Sequence, residues 1–103
     1  MTSTETIELA MLRFIDAYVA ANGMIGSKEI CLQFNCLRPK ASKVLKQYQG
    51  VKPSNLRFDT SLHAYRRGVT FEPLFLKEER PLAYLDAIDL VFGKVDPKEM
   101  RKL

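Results

Sequence analysis

The segment Leu37–Tyr48 (LRPKASKVLKQY) limits what this chain can become more than any other stretch. Ala41, Val44, Leu45 and Tyr48 recur at i, i+3, i+4 and i+7, the spacing that lines one side of an α-helix. The remaining surface carries Arg38, Lys40, Ser42, Lys43, Lys46 and Gln47, with no acid among them. Such a helix docks on a core by one side and turns a cationic, polar side toward a polyanion. Pro39 falls in the first turn, where its missing N–H costs nothing. The pattern predicts that 38–48 is the recognition helix of a small DNA-binding domain.

The flanking segments supply a layout for it. Ile7, Met11, Phe14, Ile15, Tyr18 and Val19 predict a first helix to about Ala21, capped by Thr4 or Thr6 and stopped at Asn22-Gly23. It reads as a core helix without chemistry, and residues 1–5 read as frayed. Met24-Ile25-Gly26 is too short for an independent strand and fits a brief extended piece pairing with a later hairpin. Ser27 is expected to cap a helix over 28–34 with Ile30, Cys31 and Phe34 inward. Asn35 suits a tight turn with positive φ. Helix, short turn, helix is the helix-turn-helix arrangement, whose second helix enters the major groove.

Residues 49–54 read as a loop. Two antiparallel strands are then expected, Asn55–Asp59 and His63–Gly68, with Leu56 and Phe58 on one side. A hairpin in this place is a wing, and Arg57, His63, Arg66 and Arg67 could reach backbone or minor groove from it. Val69–Leu76 contains Pro73 and is expected to cross the domain in extended form, packing Phe71, Leu74 and Phe75. After a charged break at Lys77–Arg80, Pro81 opens a last helix through to Gly93, followed by a polar tail with room for one more helical turn. The expected architecture is mainly α with a small β-hairpin: a winged helix-turn-helix over 1–76 and a C-terminal helix over 77–103. The apolar stripe Leu82, Leu85, Ile88 and Phe92 is expected to dimerise, since small DNA-binding domains gain affinity from two half-sites. Closing the monomer's own core is the competing use of that stripe.

Charge is concentrated where this layout needs it. The chain is +4 overall, but residues 38–67 hold eight Lys/Arg against the single acid Asp59. A basic middle between near-neutral flanks is the footprint of phosphate-backbone binding. No apolar run approaches the roughly 20 residues that span a bilayer. The N-terminus lacks the cationic start and apolar block of a signal peptide, so a cytoplasmic, nucleoid-associated protein is expected. Cys31, Cys36 and His63 are the only Cys and His residues, too few for a four-ligand zinc site. They read as reduced, semi-buried thiols and an exposed wing histidine. No paired carboxylates, Gly-rich phosphate loop or nucleophile–base set is evident, so no catalysis, cofactor or metal is expected.

Over residues 11–76 the sequence resembles the N-terminal winged helix-turn-helix of WYL-domain transcriptional repressors of the BrxR/CapW type, which control bacterial phage-defence operons. The resemblance is carried by Leu12-Arg13-Phe14-Ile15-Asp16, Gly23-Met24-Ile25, Phe34-Asn35-Cys36 and Pro39-Lys40-Ala41-Ser42. It continues through Tyr48-Gln49, Lys52-Pro53-Ser54-Asn55-Leu56, Asp59, Tyr65 and Phe71-Glu-Pro-Leu-Phe75. It implies a dimeric, sequence-specific repressor with the third helix as major-groove reader through Arg38, Lys40, Ser42 and Lys43, Lys46 beside them at phosphates, and a wing at 57–67. Two departures stand out. Leu37 occupies the position where the family tends to have a small capping residue. The chain also leaves no room for a WYL domain, so no small-molecule ligand is expected, and a stand-alone regulator of the kind carried by mobile elements is the implied context. The alternative reading is a winged helix serving as a protein–protein interaction module without its own DNA site.

Overall fold

The first helix has buried residues on more than one side, so other elements must surround it. In the computed structural model, which describes residues 3–76 and 80–92 with the side chains of 3–6, 91 and 92 outside the description, α1 (Ser3–Asn22) is that central rod. Met11, Leu12, Phe14, Ile15, Ala17 and Val19 are buried along it. β1 (Met24–Ile25), α2 (Ser27–Phe34), α3 (Arg38–Val51) and α4 (Pro81–Phe92) all contact it. The helix begins before Thr4 and Thr6, so neither caps it. Once a helix is anchored on a core, propagation through polar residues costs little. Ile7, expected on the apolar stripe, is exposed.

Gly23 ends α1 at φ +84, a conformation glycine takes without penalty, and its carbonyl accepts the Arg67 N–H at 2.8 Å. α2 then starts at Ser27 itself, with Gly26 as the extended N-cap. The Glu29 carboxylate reaches back to accept the Gly26 N–H at 3.0 Å, and no side chain caps the first turn, so Ser27 does not serve as the expected cap. Ile30 and Gln33 are buried, while Cys31 and Phe34 are half-buried. Asn35 adopts the left-handed conformation (φ 52, ψ 51) and turns the chain toward α3.

α3 buries Ala41, Val44, Leu45 and Tyr48, as the stripe predicts. It runs three residues past Tyr48, through Gln49-Gly50-Val51, where the sequence predicts a loop. Pro53 excludes helical geometry at Lys52 rather than at Gly50, and that sets the true end. A 3₁₀ turn, Pro53–Asn55, leads into β2 (Leu56–Asp59), which pairs antiparallel with β3 (Ala64–Arg67). β1 adds to the other edge of β3, with Met24 opposite Arg66 and Ile25 opposite Tyr65. The expected hairpin is thus part of a three-stranded sheet in the order β1-β3-β2. Phe58 and Leu56 part company: Leu56 is buried, whereas Phe58 is 45% exposed and meets Tyr65 edge-on at 5.0 Å. Gly68 follows β3 so tightly that a Cβ there would fall 1.8 Å from the Ser54 carbonyl oxygen.

Residues 69–76 lack helix or strand and are held by side chains instead. Asp16, fully buried on α1, accepts backbone N–H bonds from Leu74 (2.8 Å), Phe75 and Leu76 (3.1 Å) on one carboxylate oxygen. Its other oxygen accepts the Tyr48 hydroxyl of α3. Burial and the adjacent Asp16 carboxylate push the Tyr48 phenol far up. Asn55, also fully buried, donates to Tyr48 Oη at 3.1 Å and to the Glu72 carbonyl at 2.7 Å, and accepts the Glu72 N–H at 3.1 Å. Arg13 Nε bonds the Phe75 carbonyl at 3.2 Å. α4 then packs on α1 with Tyr84 and Ile88 buried, and Tyr84 Oη donates to the Ala10 carbonyl at 3.2 Å.

The wing turn is built on Asp59. One carboxylate oxygen accepts the Ser61 N–H (3.0 Å), the Ser61 hydroxyl (2.6 Å) and the Leu62 N–H (3.2 Å). The other accepts Arg66 Nε at 2.7 Å. The Ser61 and Arg66 bonds hold the Asp59 carboxyl down to about 2.

Removing the Asp16 carboxylate strands three backbone donors and a buried hydroxyl. Asp16→Ala is expected to lower the unfolding free energy by about 3 kcal/mol or more, read from urea denaturation, with the 69–76 segment becoming protease-sensitive. For Asp59 the folded pKa lies below the unfolded one. Its contribution is therefore full above about 4 and lost as pH falls through about 2. The Ser61 and Leu62 amide resonances should hold their positions down to pH 3 and shift only near pH 2.

Candidate nucleic-acid interface

The exposed side of α3 divides by helical phase. Arg38, Ser42 and Lys46 follow at four-residue steps and form one row, while Lys43 and Gln47 form the next. Arg38, Lys43, Lys46 and Gln47 are exposed, and Ser42 is half-exposed. The first row faces the wing. Between them lies a groove of about 660 Å³ lined by Arg38, Ser42, Leu45, Lys46, Phe58, His63 and Tyr65, together with Gly26 and Ser27 of the α2 entrance. Its floor is apolar and its rim basic.

The eight cations of the middle segment divide into two sets. Lys40 Nζ lies 2.6 Å from Glu8 of α1, and this contact holds the Glu8 carboxyl below its ordinary value. Lys52 faces Glu72 at 3.5 Å, and Arg66 is bound to Asp59. Arg67 Nη1 donates to the Ala20 carbonyl near the end of α1, at 3.0 Å. Arg38, Lys43, Lys46 and Arg57 make no ion pair among the described residues, although the Lys43 charge adds to that of Lys40 in lowering the Glu8 carboxyl. The structure therefore brings Arg38, Ser42, Lys46 and His63 around one groove and sets Lys43 and Gln47 beside it. It turns Lys40, Arg66 and Arg67 toward partners within the fold. His63 stands at φ 50, at the entrance to β3, and is exposed.

The helix that presents this face is held by features that local sequence patterns do not announce. Leu37 is its N-cap, with φ −83 and ψ 155, and supplies no side-chain cap; Pro39 follows in the first turn. The Leu37 carbonyl accepts the N–H groups of Lys40 (3.1 Å) and Ala41 (3.2 Å). Cys36 tucks its thiol toward the Ile30 carbonyl at 3.9 Å, and burial, then the neighbouring Cys31, pushes that thiol up. Both cysteines are free. Asp16 and Asn55 fix Tyr48 at the far end. An acid embedded in the apolar run Phe14–Val19 is the one signal in the sequence for that anchor. Phe58 and Tyr65 in the groove have none, because their exposure depends on where α3 lies.

The predicted dimer stripe on α4 is split. Ile88 is buried against the domain and Leu85 is half-buried, whereas Leu82 is 68% exposed. Leu90, outside the predicted stripe, is 88% exposed. The Phe92 side chain and the expected turn after Lys94 lie outside the described residues. Among the described residues no helix is long and apolar enough to cross a membrane, and no three His, Cys, Asp or Glu side chains gather as a metal site.

These features can be set beside known proteins. Two curated proteins, each described as DNA-binding transcriptional repressor CapW, one from Escherichia coli (strain KTE188) and one from Escherichia coli, are each 32% identical to this chain over 65 residues. The aligned stretch covers 63% of this chain but only 22% of either relative, so the chain corresponds to a small part of their length. A family model described as the BrxR transcriptional regulator winged helix-turn-helix domain matches residues 8–89, which takes in α2, α3, the wing and most of α4. With that match over most of its length, the chain belongs to the family of BrxR transcriptional regulator winged helix-turn-helix domains.

Proposed function

We propose that this chain is a sequence-specific, double-stranded DNA-binding transcriptional regulator that works as a homodimeric repressor on a pseudo-palindromic operator. The observation that carries this reading is the outer face of α3, where Arg38, Lys43 and Lys46 stand exposed and make no ion pair among the described residues, beside a basic-rimmed groove. Membership of a transcriptional-regulator family supports it, as does the likeness to proteins described as repressors. In this reading α3 enters the major groove. Arg38 and Ser42 reach base edges, a bidentate arginine–guanine contact giving about 1–3 kcal/mol of discrimination. Lys43, Lys46, Gln47, Arg57 and His63 hold the backbone. Lys40 must leave Glu8 before it can serve DNA, and Arg66 and Arg67 mainly shape the wing.

The dimer would use the part of α4 that the monomer leaves uncovered. Leu82 and Leu90 supply an exposed apolar surface there. Ile88, by contrast, belongs to the core of its own subunit.

Selection of bound duplexes from random DNA, at stated salt, tests the whole reading. A palindrome with half-sites about one helical turn apart is expected. No enrichment, together with no binding to random duplex at low salt, would sink it. Lys43→Ala and Lys46→Ala should each reduce the slope of log affinity against log salt by about one, with thermal stability unchanged. On α4, Leu82→Glu should convert dimer to monomer in sedimentation, with a melting temperature that no longer depends on protein concentration. Ile88→Ala should instead destabilise the fold by about 2–5 kcal/mol.

A further inference from the structure

We propose that Leu37 is a specificity-determining residue of this domain, packing its side chain on the 5-methyl group of a thymine in the major groove. The inference rests on the DNA-binding reading above and assigns one position within it.

Leu37 is 79% exposed at the N-cap of α3, where it provides no cap. Leucine there supplies no side-chain acceptor, and the first turn does without one: Pro39 has no N–H and the Lys40 N–H already bonds the Leu37 carbonyl. A single exposed leucine on a protein surface is ordinary. The position of this one is not ordinary. The N-terminal residues of a recognition helix are the ones that meet base edges.

The backbone around it is fixed on both sides. The Leu37 carbonyl holds the N–H groups of Lys40 and Ala41 in the first turn. Before it, Asn35 is locked in the left-handed conformation and the Cys36 N–H bonds the Cys31 carbonyl at 3.3 Å. The side chain therefore projects from a rigid tip, immediately before the exposed Arg38. A leucine offers no hydrogen bond, so placing it on a guanine or cytosine edge would desolvate polar groups without replacement. The thymine methyl is the one apolar feature of the major-groove code. Leu37 thus selects a thymine next to the base pair that Arg38 reads.

The test uses the full chain and a duplex selected from random DNA, with affinity measured by anisotropy at fixed salt. Thymines in one half-site are replaced singly by deoxyuridine, which removes only the methyl. One position should weaken wild-type binding about fourfold, the value of burying one methyl-sized group. Leu37→Ser should bind more weakly and be indifferent to uridine at that position. Leu37→Met, which keeps an apolar reach, should retain the sensitivity. Leu37 is largely exposed, so the melting temperature of Leu37→Ser should hold, which distinguishes weaker recognition from a damaged fold. Wild-type protein indifferent to uridine at every thymine, or Leu37→Ser still sensitive to it, overturns the assignment while the DNA-binding reading stands. Failure to select any duplex overturns that reading, and this proposal with it.

Discussion

The buried carboxylate of Asp16 is the contact on which the placement of α3 depends. It joins three elements that share no backbone ladder: α1, which carries it, α3 through Tyr48, and the irregular 69–76 segment through three N–H groups. A carboxylate away from water is costly unless its lone pairs are met. Here backbone donors and a hydroxyl meet them, the same way oriented amides hold an anion elsewhere. Asn55 extends the network into the start of the wing, where the Gly68 N–H bonds its carbonyl at 2.8 Å. α3 and the wing are thereby referred to one rigid point, and the groove between them inherits its shape from a side chain that does not line it.

This division separates holding residues from presenting ones. The cations nearest the frame are used by it: Lys40 on Glu8, Arg66 on Asp59, Arg67 on Ala20. Exposed pairs of this kind contribute little to stability, but they fix where a long side chain spends its time. Those farther out, Arg38, Lys43, Lys46 and Arg57, make no ion pair among the described residues and stand exposed to solvent. A count of basic residues along the chain cannot make this distinction, because each partner lies distant in sequence or across the wing turn. The same applies to α4, where Ile88 closes the domain's core and Leu82 is exposed although both lie on one predicted stripe.

What could be read from residues alone was whatever depends on local periodicity and local backbone preference. The apolar stripe of α3, the left-handed turn at Asn35, the proline-opened α4 and the hairpin after the 3₁₀ turn all rest on interactions spanning a few residues. The differences also have local causes. The α2 cap sits at Gly26 because Glu29 can reach back, and α3 outruns its expected end because Pro53 stops a helix later than Gly50 does. The family likeness was legible because such short signals occur in the right order.

By itself, then, the sequence determined the class of the domain and the face that α3 presents, since a period of 3.6 residues sorts side chains into sides without help from elsewhere. Only the tertiary structure decided which cations remain unpaired, which leucines of α4 are covered, and how the segment after the wing is held. Those outcomes hang on contacts as remote as Arg13 to Phe75 and Asp16 to Leu76. Periodicity carries no information about such contacts, because each partner is set by how whole elements stack rather than by its neighbours in the chain.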